Sequence, residues 1–183
     1  MSGAPIGEFA EAWPAADRPD LVAAPVAAAL GRLPDAGSVL VVDTDPANAD
    51  TAVFGEVYAV APDASANCVV VAGRRGETPT MAACMVLAST RADVNGVVRR
   101  LLGARKASFA AMDAAVEQTG MEYGGITPIG LPDGWPLLVD AAVVAAPWVV
   151  IGSGRRRGKL IVPGKLLADL PGAQVVDGLA TPV

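Results

Sequence analysis

The 183-residue chain has no histidine. Triads built on an imidazole base, histidine general acids and histidine metal ligands are excluded together. Cysteine is scarce: Cys68 and Cys84 each sit inside an apolar run, and no Cys-x-x-Cys occurs. Both read as small core side chains, and a zinc site would need carboxylates almost alone. No metal and no cofactor is expected, so chemistry falls to Lys, Asp, Glu, Tyr, Ser, Thr, backbone groups or water. Aromatic residues are 4% of a chain that is 52% hydrophobic, which leaves the core to Val, Leu, Ile and Ala. No apolar run is long enough for a membrane span, and no membrane partner is expected. Met1-Ser-Gly-Ala-Pro-Ile-Gly-Glu8 lacks the basic start and apolar centre of a secretion signal, so a cytoplasmic location is the expectation.

The net charge of −5 argues against indiscriminate nucleic-acid binding, and no DNA partner is expected. The charge is uneven. Residues 1–63 hold ten acids and two arginines, whereas residues 64–183 hold nine acids and twelve bases. A local phosphate-binding face in the second part and a set of solvated arginines both fit this surplus.

Length suits one domain with a substantial core. Residues 1–20, rich in Pro, Ala and acid, read as an arm on which Phe9 and Trp13 dock; residues 21–183 form the body. A helix is predicted from Pro19 to about Leu33, and a strand over Ser38–Asp43. Asp43 and Asp45 point the same way on an extended chain, either as a carboxylate pair or as a solvated strand end. Asp50 caps a helix over about Thr51–Val60, whose Ala52, Val53, Val57 and Val60 should face inward. Asn67–Ala72 and Met81–Ala88 are strands apolar on both faces, with an exposed loop between them. Asp93 caps a helix over Val94–Leu102, with Val94, Val97, Val98, Leu101 and Leu102 as its apolar stripe. An edge-like strand at Arg105–Phe109 and a helix at Met112–Thr119 follow. Trp135–Asp140 is a strand, Trp148–Ser153 and Lys159–Val162 form a hairpin, and Ala173–Asp177 is the last strand. The order fits a mixed sheet in an α+β domain.

Between the helix at Met112–Thr119 and the strand at Trp135–Asp140 lies Met121-Glu-Tyr-Gly-Gly-Ile-Thr-Pro-Ile-Gly-Leu-Pro132, with three glycines, two prolines and one charge. Such a loop is stiff, non-helical and rich in free backbone groups. It suits a pocket wall or a rigid crossover. Gly152-Ser-Gly-Arg-Arg-Arg-Gly-Lys-Leu160 fails as a phosphate loop: Ser153 stands at its first glycine position, Leu160 follows the lysine, and no helix opens after it. It reads as a basic hairpin tip, with Arg155, Arg156 and Arg157 as candidate contacts to a nucleic-acid backbone.

As a set, Ala49-Asp-Thr-Ala-Val-Phe54, Asn67-Cys-Val-Val-Val71, Arg91-Ala-Asp-Val-Asn-Gly-Val-Val-Arg99, Glu117-Gln-Thr-Gly-Met-Glu-Tyr-Gly-Gly-Ile-Thr-Pro-Ile-Gly130, Leu138-Val-Asp140 and Val150-Ile-Gly-Ser-Gly154 resemble the YbaK/EbsC family, from about Asp50 to the C-terminus. That family comprises free-standing aminoacyl-tRNA deacylases and the editing domain of bacterial prolyl-tRNA synthetases. The resemblance implies a mixed, strongly curved, barrel-like sheet surrounded by helices. It also implies hydrolysis, in trans, of the ester joining a small mischarged amino acid to its tRNA. The partners implied are the aminoacyl-tRNA 3′ end and an aminoacyl-tRNA synthetase. By the same resemblance Gly124, Gly125, Ile126, Thr127, Pro128 and Gly130 line the aminoacyl pocket. Gly152, Ser153 and Gly154 form a second backbone wall, and Asp140 holds the substrate ammonium or a lysine. One position departs: Asn67 stands where the family has its functional lysine. Asn donates hydrogen bonds but carries no charge. Two readings follow, an editing hydrolase that uses Asn67 and backbone donors, and a binding module of the same fold with weak chemistry or none.

Overall fold

The computed structural model describes residues 3–183; Met1 and Ser2 lie outside the described residues. In chain order the elements are β1 (Ala12–Pro14), α1 (Ala24–Leu30), β2 (Leu40–Val42), α2 (Thr51–Val57), β3 (Ala66–Arg74), β4 (Thr80–Leu87), β5 (Thr90–Ala92), α3 (Arg99–Leu101), β6 (Lys106–Phe109) and α4 (Met112–Thr119). They continue with β7 (Leu137–Asp140), α5 (Ala141–Ala145), β8 (Val149–Gly152), β9 (Lys159–Val162), β10 (Ala173–Val176) and β11 (Ala180–Pro182). The mixed α+β organisation is as expected. No helix among the described residues is long and apolar enough to cross a membrane.

β4 is the spine. Its side chains alternate between two cores, as a strand covered on both faces requires. Ala83, Met85 and Leu87 enter the larger core with α1 and β9, while Ala82, Cys84 and Val86 enter the smaller one under Val94 and Val98. β3 pairs with β4 antiparallel from Ala66↔Leu87 to Gly73↔Thr80. The five-stranded sheet runs β10-β7-β4-β3-β6, with β7 parallel to both neighbours. A four-stranded antiparallel sheet runs β1-β2-β9-β8, and β11 pairs with β5.

The expected barrel-like curl is not present: among the described residues no sheet closes on itself. The physical reason lies at the edge of β3. β6 covers that edge from Val71 to Arg74. At the other end of that edge, just before β3, the two large sheets meet through one isolated parallel bridge, Ser65↔Val150. β8 and β6 therefore leave β3 in different directions, and residues 66–69 have no strand on that side.

Two helices differ from the periodic reading. In α2, Val53 and Val57 are 42% and 51% exposed, whereas Phe54 is 1% exposed. The N-terminal arm fixes this rotation: Phe9 stacks on Tyr58 at 5.2 Å and lies 6.1 Å from Phe54, and Glu8 N–H donates to the Tyr58 carbonyl. The segment after Asp93 begins as a π-helical turn, Val94–Val98, before α3. A wider turn shifts the phase of later side chains, which leaves Leu101 41% exposed while Val94 and Val98 stay buried. β11 and α5 were not legible as elements, being a three-residue strand and a single Ala/Val turn.

Asp93 accepts from the N–H groups of Gly96 and Val97 at 2.9 and 3.1 Å. Asp93→Ala should cost about 1 kcal/mol, measured as a lowered urea midpoint with unchanged slope.

Candidate active site

The gap beside β3 is a cavity of about 630 Å³, within the size range of small-molecule sites. Residues 65–70 form one wall, Val150 to Gly152 of β8 a second, and Gly124 and Ile126 of the glycine loop a third. Thr51 and Phe54 of α2 close one end. Phe109, Met112 and Tyr123 stand at the cavity while remaining 62%, 54% and 57% exposed, so they form its rim.

The glycine loop is held there by main chain. Glu122 N–H donates to the Gly154 carbonyl at 2.9 Å, and Gly154 N–H donates to the Gly125 carbonyl at 2.7 Å. The Glu122 carboxylate accepts from Arg156 N–H at 2.7 Å. A Cβ on Gly152 would collide with the carbonyls of Gly125 and Ile126, and one on Gly125 with the main chain of Arg155. Glycine at both positions is what lets two backbones touch. Gly124, at φ +80°, turns the loop back over the cavity.

Asn67 projects from β3 into this space, and its side-chain oxygen accepts from the Thr51 hydroxyl at 3.0 Å. That bond leaves the amide NH₂ as the unclaimed end, with two donors. Asp50 places Thr51 by capping α2, accepting from Ala52 N–H at 3.1 Å.

The group that sequence reasoning missed is Lys159. It lines the same cavity from β9, is 9% exposed, and donates from Nζ to the Gly124 carbonyl at 3.4 Å. Its Nζ lies 5.5 Å from the Phe54 ring centroid, within cation–π range. Burial, and then the nearby Arg156 charge, hold its pKa below the ordinary lysine value. The available signal was position: a lysine directly before Leu160-Ile-Val162 occupies a place in a strand that is otherwise buried. Cys68 also lines the cavity, but burial pushes its thiol far above the usual range, as it pushes Cys84 up to about 12. Neither offers a thiolate at neutral pH.

Of the residues expected at a site, Asn67, Gly124, Ile126, Gly152 and Arg156 come together in the cavity lining. Gly125, Pro128, Gly130 and Gly154 shape the loops behind it. Thr127 is fully buried, and its hydroxyl has no hydrogen-bond partner among the described residues. Ser153 is also buried; within the hairpin tip its hydroxyl donates to the carbonyls of Gly158 and Arg155 and accepts from Arg155 N–H. Asp140 lies apart from the cavity lining: one oxygen caps α5 at Ala142 N–H, 2.8 Å, and the other accepts from Ala180 N–H, 2.9 Å. The hairpin arginines are largely engaged. Arg157 makes a bidentate pair with Asp43 at 2.7 and 2.6 Å, and Arg155 donates to the Val22 carbonyl at 2.9 Å. Arg156 donates to the carbonyls of Pro46 and Tyr123. The Asp43 carboxyl is held below its usual range by Arg157, while Asp45 caps the turn at Pro46–Asn48. The two acids are thus separate structural groups.

Residues 45–170 match the aminoacyl-tRNA editing domain, more than half of the chain. The chain belongs to the aminoacyl-tRNA editing domain family. No curated protein matches this chain in sequence. Among solved structures, it superposes with TM-score 0.71 on a protein described as a candidate trans-editing enzyme for prolyl-tRNA synthetase. The two are 25% identical over 84% of this chain and 93% of the other. A scaffold protein used for computational epitope grafting is also 25% identical, with TM-score 0.72 over 85% and 95% of the chains. A third, hypothetical protein shares the fold at 21% identity and TM-score 0.68 over 77% and 90%.

A lysine with a lowered folded pKa weighs on stability in full below that pKa, and the burden disappears as pH climbs to the ordinary value of 10.5. Lys159→Met should therefore raise the melting temperature at pH 7, by about 2–4 °C for each kcal/mol relieved. The difference should narrow as pH approaches 10.5. Asp140→Ala, which strips two backbone N–H groups of their acceptor, should lower stability by about 1–3 kcal/mol in denaturant titration.

Proposed function

We propose that this editing domain hydrolyses, in trans, the ester between a small mischarged amino acid and the 3′ end of its tRNA. The observation that carries the reading is the convergence of Asn67, Lys159 and the glycine-loop backbone on one cavity. An aminoacyl ester is already activated. Its hydrolysis requires a positioned water and donors where negative charge develops on the carbonyl oxygen. The Asn67 amide and the Lys159 ammonium are the side-chain donors on offer, and Lys159 has donors to spare beyond its bond to Gly124.

Lys159 supplies the positive charge that Asn67 cannot. It does so from β9, on the four-stranded sheet, rather than from β3. Its partial desolvation strengthens any bond it makes to a developing oxyanion, because the surrounding dielectric is low. No imidazole base exists, and neither cysteine lining nor neighbouring the site is ionised, so neither histidine nor thiolate activates the water. The substrate's own ribose hydroxyl is suited to place that water. Phe109 and Tyr123 at the rim offer ring faces on which the terminal base can stack. A cavity whose walls include main chain fixed at Gly124 and Gly152 selects by size. It therefore suits small amino acids that a charging site excludes poorly.

The binding-only reading drew its force from the uncharged residue at 67; Lys159 in the same cavity removes that ground. Deacylation is measured on a panel of mischarged tRNAs. Lys159→Met and Asn67→Ala should each slow the susceptible substrate by about 10²–10³-fold. Because Lys159→Met should fold at least as well as the parent, its loss cannot be assigned to unfolding. Decay of every mischarged tRNA at the buffer rate would remove the proposal.

A further inference from the structure

The second recess of the molecule lies outside the reaction cavity. It is an open cleft of about 470 Å³ lined by Arg74, Asn95, Arg99, Arg105, Lys106 and Ser108, with buried Ala107 at its floor. Every one of those six side chains is a hydrogen-bond donor, and four are cations. All six residues are exposed. Among the described residues the four cations have no ion pair and no side-chain hydrogen bond. This contrasts with the hairpin tip, where Arg155, Arg156 and Arg157 are spent on carbonyls and on Asp43.

The fold forces these charges together. Arg74 and Lys106 are directly opposite on β3 and β6, Arg105 N–H donates to the Arg74 carbonyl at 2.8 Å, and Ala104 N–H donates to the Arg99 carbonyl at 3.0 Å. Like charges facing each other across a strand pair destabilise a sheet. An arrangement that concentrates four of them, in a chain with net charge −5, calls for an anionic partner.

The cleft's place on the strands says which one. β3 runs from the reaction cavity at residues 65–70 to the cleft at Arg74, and β6 returns from Lys106 to Phe109 at the cavity rim. Val70 to Arg74 is four residues and Asn67 to Arg74 seven, roughly 13 and 23 Å along an extended chain. At about 3.4 Å per stacked nucleotide of one strand, that spans about four to seven nucleotides.

We infer that the cleft formed by Arg74, Arg99, Arg105 and Lys106 binds the backbone phosphates of the tRNA acceptor end while its aminoacyl terminus occupies the reaction cavity. The inference rests on the editing reading for the identity of the RNA. Phosphate contacts of this kind position a nucleic acid without reading its sequence. They allow the cavity to be small and unspecific in base contacts while still favouring an amino acid that is attached to RNA.

The test uses the full chain and a fluorescent RNA hairpin with a duplex stem and a single-stranded 3′ tail. Affinity is read by anisotropy over a salt series, for the parent and for Arg99→Ala/Arg105→Ala. Both residues are exposed, and equal melting temperatures check folding. The expected result is an affinity loss of roughly tenfold or more at low salt, with the slope of log K against log salt shallower by about 1 per charge removed. Arg99→Lys/Arg105→Lys should restore the slope. The parent's affinity for the isolated 3′ tail should be weaker than for the hairpin. An unchanged slope in the alanine variant, or a parent that does not bind the hairpin, overturns the inference. A parent that binds the hairpin with the expected slope yet deacylates no mischarged tRNA overturns the editing reading instead.

Discussion

The backbone-to-backbone contact between Gly125 and Gly152 governs where everything else at the site can stand. It brings the glycine loop against the start of the β8–β9 hairpin, with the Gly125 carbonyl bonded to Gly154 N–H and no side chain in between. That contact sets the distance from Gly124 to Lys159, and so decides where the one buried ammonium of the cavity points. A single added methyl group at either glycine would separate the walls. The four-stranded sheet is thereby tethered to the loop that follows α4, while β3 stays with the five-stranded sheet. The cavity is the wedge that results.

Much of this was legible because apolar β-branched runs and capping aspartates are local signals. β4, β9, α4 and the caps at Asp50 and Asp93 depend on few residues outside themselves. The cavity could be expected from the glycine loop and the strand at Asn67, since rigid main chain and a nearby strand entry are both sequence features. Lys159 could not. Its importance comes from the pairing of β9 with β8, which carries it across from the opposite sheet to the wall facing Asn67. The Gly152–Leu160 motif that contains it fails as a phosphate loop on the residues after the lysine, and nothing local points to another use. Asp140 shows the reverse: its place at a strand end suggested a ligand, yet both oxygens serve backbone N–H groups. The curvature of the sheet was also beyond local reading, because it turns on one bridge between Ser65 and Val150.

The distribution of charge now has a spatial meaning. Two groups among the bases in the second part of the chain have opposite fates. The hairpin arginines hold the N-terminal third of the chain to the body, through Asp43, Val22 and Pro46. Arg74, Arg99, Arg105 and Lys106, at the far end of β3 and β6, make no side-chain hydrogen bond or ion pair among the described residues. Three arginines in a row are conspicuous in the chain, but partners in the fold, rather than adjacency in the chain, distinguish a structural cation from an available one.

The walls of the cavity are unequal in how they can vary. Gly124, Gly152 and the peptide groups of residues 66–69 present main chain, whose chemistry no point substitution alters and whose spacing tolerates almost none. Phe109, Met112 and Tyr123 are exposed side chains on the opposite side, free to change without disturbing either core. A change in what this pocket accepts is therefore easiest at its lip and hardest where main chain meets main chain, at Gly125 and Gly152.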